Sequence, residues 1–113
     1  MLDSLTAWSL YRQLEGLEEV LKNTRQTIQE QFAAARANQD SFNHILTQIT
    51  DGCAEVPEYV RSFSHIERAN ISGGINRSAY PRFLGQVRML RQAMRAFLEV
   101  MLSTEEKQKV GFM

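Results

Sequence analysis

The sequence predicts an all-α fold, in which a long coiled-coil-like N-terminal helix packs with a short helix and with a second substantial helix antiparallel to it. Three observations support this prediction. Apolar residues recur at heptad spacing through the first 49 residues, residues that favour helices dominate the composition, and the prolines and the one glycine pair fall between the periodic segments. With 113 residues, the chain fits a single helical domain, 1–113.

The first predicted helix covers about residues 3–50. With Leu14 at position a of the heptad, every a residue over seven repeats is apolar, whereas the d positions are apolar near both ends and polar in the middle. This pattern is typical of a coiled-coil seam, and a helix of this length would extend about 70 Å. A bend or break near Asn38, beside an alanine-rich segment, is the alternative to one continuous helix. Gly52 is expected to end the helix in the left-handed conformation.

A short helix and a glycine loop are predicted next. Pro57 suits the first turn of a helix, and the apolar spacing after it predicts a second helix over about residues 57–69. The loop covers 70–79, where Gly73 and Gly74 break any helix. Its expected role is to connect the second and third helices.

The third predicted helix covers about residues 80–102, with Pro81 in its first turn. Its apolar stripe is broad, as expected for a helix that buries one side in a bundle. The methionines of this helix fit either a core or a surface groove that binds another helix: Met89, Met94 and Met101. Ser103, three residues before Glu106, matches a capping box, so 103–113 is predicted to form a short helix or a tail.

The long helix would remain partly uncovered by a single layer of shorter helices. We therefore expect a homodimer or a helical hetero-complex. The residues assigned to the dimer or partner interface lie on the first helix: Leu10, Leu14, Leu17, Leu21, Ile28, Trp8 and Tyr11. The two aromatic residues would act as binding anchors if they are exposed.

Charge is distributed unevenly, although the formal net charge is zero. Residues 1–60 hold nine acidic and four basic side chains, whereas residues 70–98 hold five arginines and no acid. Four of the arginines form a basic ridge on the third helix: Arg82, Arg88, Arg91 and Arg95. Guanidinium groups pair with phosphates or with carboxylates, and the first helix offers Glu15, Glu18 and Glu19 as carboxylate partners. Scarce lysine and the lack of interleaved aromatic residues favour a protein partner over nucleic acid.

The sequence contains no pattern typical of catalysis, so we predict that the protein is not an enzyme. His44, His65 and Cys53 match no spacing of a metal site, and no metal or cofactor is predicted. The glycine pair lacks the pattern of a phosphate-binding loop, although an anion held at the start of the third helix is an alternative. The glycosylation patterns at Asn70 and Asn76 are interpreted as chance matches.

The N-terminal residues lack the basic segment of a secretory signal, and no apolar run approaches the ~20 residues of a membrane span. We expect an intracellular, soluble protein of the cytoplasm or nucleus. The predicted function is that of a non-catalytic protein–protein interaction module, working as an assembly subunit, adaptor or regulator through the surface of the long helix. The alternative is a nucleic-acid-binding regulator that uses the basic ridge.

Overall fold

Four helices and no strand are present in the part of the chain that the computed structural model describes, namely residues 2–23, 27–53 and 63–112. They are α1 (Ser4–Lys22), α2 (Ile28–Gly52), α3 (Ala79–Met101) and α4 (Thr104–Val110). Helices α1, α2 and α3 pack against one another as a bundle. The predicted all-α class is confirmed.

The structure has two helices where the sequence predicts one over about residues 3–50. Helix α1 ends at Lys22, with Asn23 as its C-cap, and α2 begins after Thr27, whose hydroxyl accepts a hydrogen bond from the main-chain N–H of Glu30. A side chain that satisfies a free N–H of the first turn favours a helix start at that position. Helix α2 continues through Asn38 without a break, so the interruption lies earlier than the alternative near Asn38 places it.

Helix α1 runs antiparallel to both α2 and α3. At its start, the N–H of Leu2 donates to the carbonyl of Gly52 at the end of α2, at 2.7 Å. At its end, the carbonyl of Leu21 accepts a hydrogen bond from the hydroxyl of Tyr80 at the start of α3. The antiparallel packing of α3 on α1 agrees with the prediction. The prediction of one continuous helix of about 70 Å is wrong, because α2 is a separate helix that packs antiparallel to α1.

The core lies between the apolar stripes of the three longer helices. Phe42 of α2 and Phe83 of α3 meet edge to face, with ring centroids 5.5 Å apart, an arrangement that aromatic rings favour. The largest fully buried side chains include Phe42, Phe63, Phe83, Leu10, Leu14, Leu21, Ile49, Leu90, Met94 and Leu98. The heptad seam of α1 is therefore a part of the protein's own core.

Gly52 permits a close approach of the N-terminal residues to α2. Among the glycines in the described ranges, only Gly73 and Gly111 have positive φ, so the expectation of a left-handed Gly52 is wrong. A Cβ atom at residue 52 would lie 2.9 Å from the Cβ of Leu2. Because residue 52 has no side chain, Leu2 can pack directly on the end of α2.

A non-helical segment, residues 66–72, leads to the glycine turn before α3, and we call it the strap. A helix is predicted over about residues 57–69, but residues 66–69 are not helical. Residues 57–62 of this predicted helix lie outside the described residues. Gly73, with φ of 78°, turns the chain. The glycine pair thus separates the strap from α3, as the sequence predicts for a connection.

Helices α3 and α4 begin and end close to the predicted positions. Helix α3 buries Phe83, Val87, Leu90, Met94, Phe97 and Leu98. Met94 is thus a core residue, whereas Met89 is exposed. In α4, the hydroxyl of Ser103 accepts from the N–H of Glu106, and the carboxylate of Glu106 accepts from the N–H of Ser103, which confirms the capping box.

Candidate functional site

Most of the predicted interface residues are buried inside the chain. Five of them belong to the hydrophobic core: Leu10, Leu14, Leu17, Leu21 and Tyr11. Helices α2 and α3 cover this seam, because the chain folds back after Asn23 instead of continuing as one helix. The seam is therefore not a free surface for a second copy, and the remaining members, Trp8 and Ile28, are half-buried and exposed, respectively.

An apolar surface is nevertheless present where α1, α3 and α4 meet. Leu5, which is 73% exposed, Leu102 and Val110 line a groove of about 190 Å³. Trp8 follows Leu5 by one helical turn and contacts the ring of Phe112, with centroids 5.9 Å apart. We call Leu5, Trp8, Leu102 and Val110 the apolar end surface.

The acidic and basic faces identified in the sequence meet at Glu18. This carboxylate is buried, and its Oε1 lies 3.1 Å from Nε of Arg88 and 3.8 Å from Nζ of Lys22. Its Oε2 lies 2.5 Å from Nε of Arg91. Removing a carboxylate from water is unfavourable unless cations and hydrogen bonds compensate, and here three cations do so. Arg88 and Arg91 thus pair with a carboxylate of α1 within the chain, one of the two partner classes considered for the ridge.

Arg95 also has partners within the chain. Its Nη1 donates to the hydroxyl of Tyr11 at 3.1 Å, and its guanidinium lies 4.9 Å from the centroid of the Phe112 ring. The hydrogen bond to Tyr11 raises the pKa of Arg95 above its usual value. Arg95 therefore ties α3 to α1 and to the C-terminal segment.

Arg82, the remaining ridge residue, lies apart from Glu18. It is exposed and lines a polar cleft of about 470 Å³ between the strap and the start of α3, together with Arg68 of the strap. Within the described residues, Arg82 makes no salt bridge. The structure thus divides the predicted ridge into three arginines with partners inside the chain and one at an open cleft.

The residues considered for metal binding or catalysis do not come together. His44 and His65 are exposed, whereas Cys53 is buried, and burial raises the pKa of the Cys53 thiol above its usual 9.0. No group of three potential metal ligands occurs in the described ranges. Likewise, no helix in this part of the chain is both long enough and apolar enough to cross a membrane.

Two features of these surfaces were not identified from the sequence, namely Leu5 and the strap. Leu5 lies outside the heptad seam, and only its spacing from Trp8, one helical turn, connects the two residues. The strap is held by amide side chains, Asn43 and Gln39 of α2, which lie four residues apart and hence on one helix face. That spacing was visible, but it does not by itself indicate a main-chain partner.

Comparisons of this chain with protein-family models, with curated proteins and with solved structures find no match. The class that the fold defines is that of a small all-helical bundle.

Proposed function

We propose that this protein is a non-catalytic helical interaction module that acts as an assembly subunit, adaptor or regulator. Its partner is a second copy of the chain or a helical segment of another protein, bound at the apolar end surface. The observation that carries this proposal is the position of Leu5, which is 73% exposed at the rim of a groove lined by Leu102 and Val110.

The chemistry of the surface suits a helical partner. The exposed side chain of Leu5 and the half-buried side chains of Trp8 and Val110 gain free energy when a partner removes them from water, by about 25 cal/mol per Å². Helix-in-groove recognition uses apolar anchors spaced three or four residues apart, which is the spacing of Leu5 and Trp8. Glu106 and Lys109 line the same groove and supply a polar rim with both signs of charge. The proposal keeps the predicted role of the α1 surface but transfers it from the buried seam to this end of the helix.

The proposal is tested by measuring mass against concentration for three proteins. Sedimentation of the wild type from about 1 to about 100 µM covers dissociation constants of ordinary reversible dimers. Leu5→Glu is expected to weaken association at least about tenfold, since it places a charge in an apolar contact. Val20→Glu is the matched control, because Val20 is exposed on the same helix and does not line the groove. A monomer at every concentration would exclude a second copy as the partner.

A hetero-partner is tested in the same variants with a synthetic amphipathic helix carrying Leu at positions i, i+3 and i+7. The proposal requires that Leu5→Glu lose binding of this helix and that Val20→Glu keep it. If the wild type neither self-associates nor binds such a helix, the apolar end surface is not an interaction site.

Nucleic-acid binding through the arginines is the second proposal. Arg82 and Arg68 at the open cleft favour it, whereas the partners of Arg88, Arg91 and Arg95 within the chain weigh against a continuous ridge. Binding of a generic oligonucleotide would weaken steeply with salt and would depend on Arg82. Binding that is insensitive to salt, or none at low salt, would rule it out.

A further inference from the structure

We propose that the cleft between the strap and α3 binds an extended, acidic peptide segment of a protein partner by adding it as a strand along the strap. The cleft shares no residue with the apolar end surface. The test of this inference is therefore independent of the test of the proposed self-association.

The strap is held like a β-strand, with amide side chains in place of a neighbouring strand. Ala69 donates its N–H to Oδ1 of Asn43 at 2.7 Å and accepts from Nδ2 of the same residue at 2.9 Å. Two residues later, Ile71 donates its N–H to Oε1 of Gln39 at 2.9 Å. In an antiparallel pair of strands, every second residue of a strand forms its main-chain hydrogen bonds with the neighbouring strand. Ala69 and Ile71 follow this pattern.

Among the described residues, the other edge of the strap is free at Asn70 and Ser72, whereas the carbonyl of Arg68 accepts a hydrogen bond from Nε2 of Gln86 of α3, at 3.4 Å. Because successive N–H groups of an extended chain point to opposite sides, those of Asn70 and Ser72 point away from α2. Neither residue has a main-chain hydrogen bond in the described part of the chain, and both line the cleft. An unpaired strand edge is a template for pairing with another chain.

Two arginines give the cleft a preference for acidic partners. Arg82, at the start of α3, makes no salt bridge among the described residues, and Arg68 of the strap donates only to the hydroxyl of Thr47, at 2.5 Å. Of the described residues that line the cleft, Glu67 is the acidic one. Guanidinium groups pair bidentately with carboxylates, so the excess of positive charge selects Asp or Glu in the bound segment.

An apolar cleft adjoins the polar one. Ile66, His65 and Met89 line this second cleft of about 220 Å³, and the two clefts share Glu67, Arg82 and Gln86. Met89 is 44% exposed, and methionine adapts to side chains of different shapes. A bound strand that continues past Arg82 would therefore place one apolar side chain against Met89.

A peptide fits these features better than nucleic acid does. Among the described residues, the lining of both clefts contains no Phe, Tyr or Trp on which a base could stack. The open edge offers main-chain donors, which recognise a peptide chain through its carbonyl groups. An extended acidic peptide matches both features of the cleft. Its carboxylates pair with the arginines, and its main-chain carbonyl groups accept hydrogen bonds from the strap.

The test uses fluorescence anisotropy with a set of labelled peptides of about seven residues, ~23 Å long when extended, which matches the strap. The peptides alternate Glu and Thr and carry one Leu that is moved along the sequence. At low salt, Arg82→Gln is expected to weaken binding at least about fivefold. Arg36→Gln, at an exposed position of α2 outside the cleft, removes the same charge and is expected to change binding less than about twofold.

Strand pairing itself is tested by N-methylation of alternate peptide amides. Methylation in one register should abolish binding, whereas methylation in the other register should leave it nearly unchanged, since only every second N–H faces the strap. Met89→Gln should remove the preference for the position of Leu. Circular dichroism of each variant would establish that it is folded as the wild type is.

Four outcomes would overturn the proposal. They are the absence of peptide binding at about 1 mM, equal effects of Arg82→Gln and Arg36→Gln, equal effects of the two methylation registers, and tighter Arg82-dependent binding of a single-stranded oligonucleotide than of any peptide. The last outcome would assign the cleft to nucleic acid.

Discussion

Gly16 and Gly52 occupy helices of the same bundle, and yet an added methyl group should have opposite effects at the two positions. A Cβ atom at Gly16 would meet no atom of the described residues within 4 Å, whereas one at Gly52 would lie 2.9 Å from the Cβ of Leu2. In an open helical position, alanine is favoured over glycine by about 1 kcal/mol. At a crowded position, overpacking costs about 1–3 kcal/mol.

We predict that Gly16→Ala raises the free energy of unfolding by about 1 kcal/mol and that Gly52→Ala lowers it by about 1–3 kcal/mol. Urea unfolding followed by circular dichroism measures both, and each variant serves as the control for the other. Stabilisation by Gly52→Ala would mean that Leu2 does not pack on the end of α2.

At the scale of single elements, Glu18 connects α1 with α3. Its carboxylate is buried beneath Arg88 and Arg91. Removing one partner of a buried ion pair leaves the other without compensation, but the side chain of Arg88 is 45% exposed and regains water. The expected cost is therefore below that of a fully buried pair.

We predict that Glu18→Gln lowers the free energy of unfolding by about 2 kcal/mol, whereas Glu19→Gln, at an exposed position one residue later, changes it by less than about 0.5 kcal/mol. A double-mutant cycle of Glu18→Gln with Arg91→Gln measures the coupling directly. Additive effects of the two substitutions would show that the ion pair contributes nothing to stability.

The strap depends on the amide of Asn43, which uses its donor and its acceptor on the same residue, Ala69. An aspartate would keep the acceptor but would place a carboxylate oxygen against the carbonyl of Ala69. We predict that Asn43→Asp lowers the free energy of unfolding by about 1–3 kcal/mol. Gln48→Glu, an exposed position on the same helix, introduces the same charge and is expected to be nearly neutral. Equal effects in thermal unfolding would contradict the role assigned to the amide.

At the scale of the whole molecule, two carboxylates cap helices at the end where α1 and α4 meet. Backbone and side-chain hydrogen bonds from Thr6 lower the pKa of Asp3 below its usual 3.8. The N–H of Ser103 and the hydroxyl of Ser4 lower the pKa of Glu106 below its usual 4.5. A carboxyl group whose pKa is lowered by folding stabilises the fold when it is ionised.

The stabilisation from both caps is fully present above the unfolded pKa values and is lost as the pH falls through the lower folded values. We predict that the free energy of unfolding falls between about pH 5 and pH 3, and that the double variant Asp3→Asn, Glu106→Gln shows a shallower decrease. Urea unfolding at several pH values measures this. If the free energy of unfolding of the double variant depends on pH as steeply as that of the wild type, groups other than Asp3 and Glu106 control stability in acid.

Much of the fold followed from sequence, but not the break between α1 and α2. The heptad pattern of Leu14, Leu21, Ala35 and Phe42 continues across the break, because both helices place these residues towards one core. The signal for the break was Thr27, three residues before Glu30, which has the spacing of a capping box. By contrast, Ser103 and Glu106 stand in a segment without such a continuing pattern, and their capping box was predicted correctly.

The candidate surfaces could be predicted only in part. The complementarity of the acidic and basic faces indicated Glu15, Glu18 and Glu19 as partners of the ridge, because opposite charges on packed helices attract. Of these three, Glu18 pairs with Arg88 and Arg91. The burial of Leu10 and Tyr11 could not be foreseen, since it depends on α2 folding back along α1. The strap was missed because hydrogen bonds between side-chain amides and the main chain leave no periodic pattern in a sequence.

The contacts that join α1 to the rest of the molecule differ greatly in how much chain lies between their partners. Helices α1 and α2 are neighbours in sequence, whereas Glu18 and Arg88 are 70 residues apart and Ser4 and Glu106 are 102 apart. Contacts between distant residues require the closure of long loops, which slows folding. We infer that the hairpin of α1 and α2 forms early and that α3 and α4 dock last. The apolar stripe of α1 is then transiently open during every folding event, and the speed with which α3 covers it determines how long the chain is prone to aggregate.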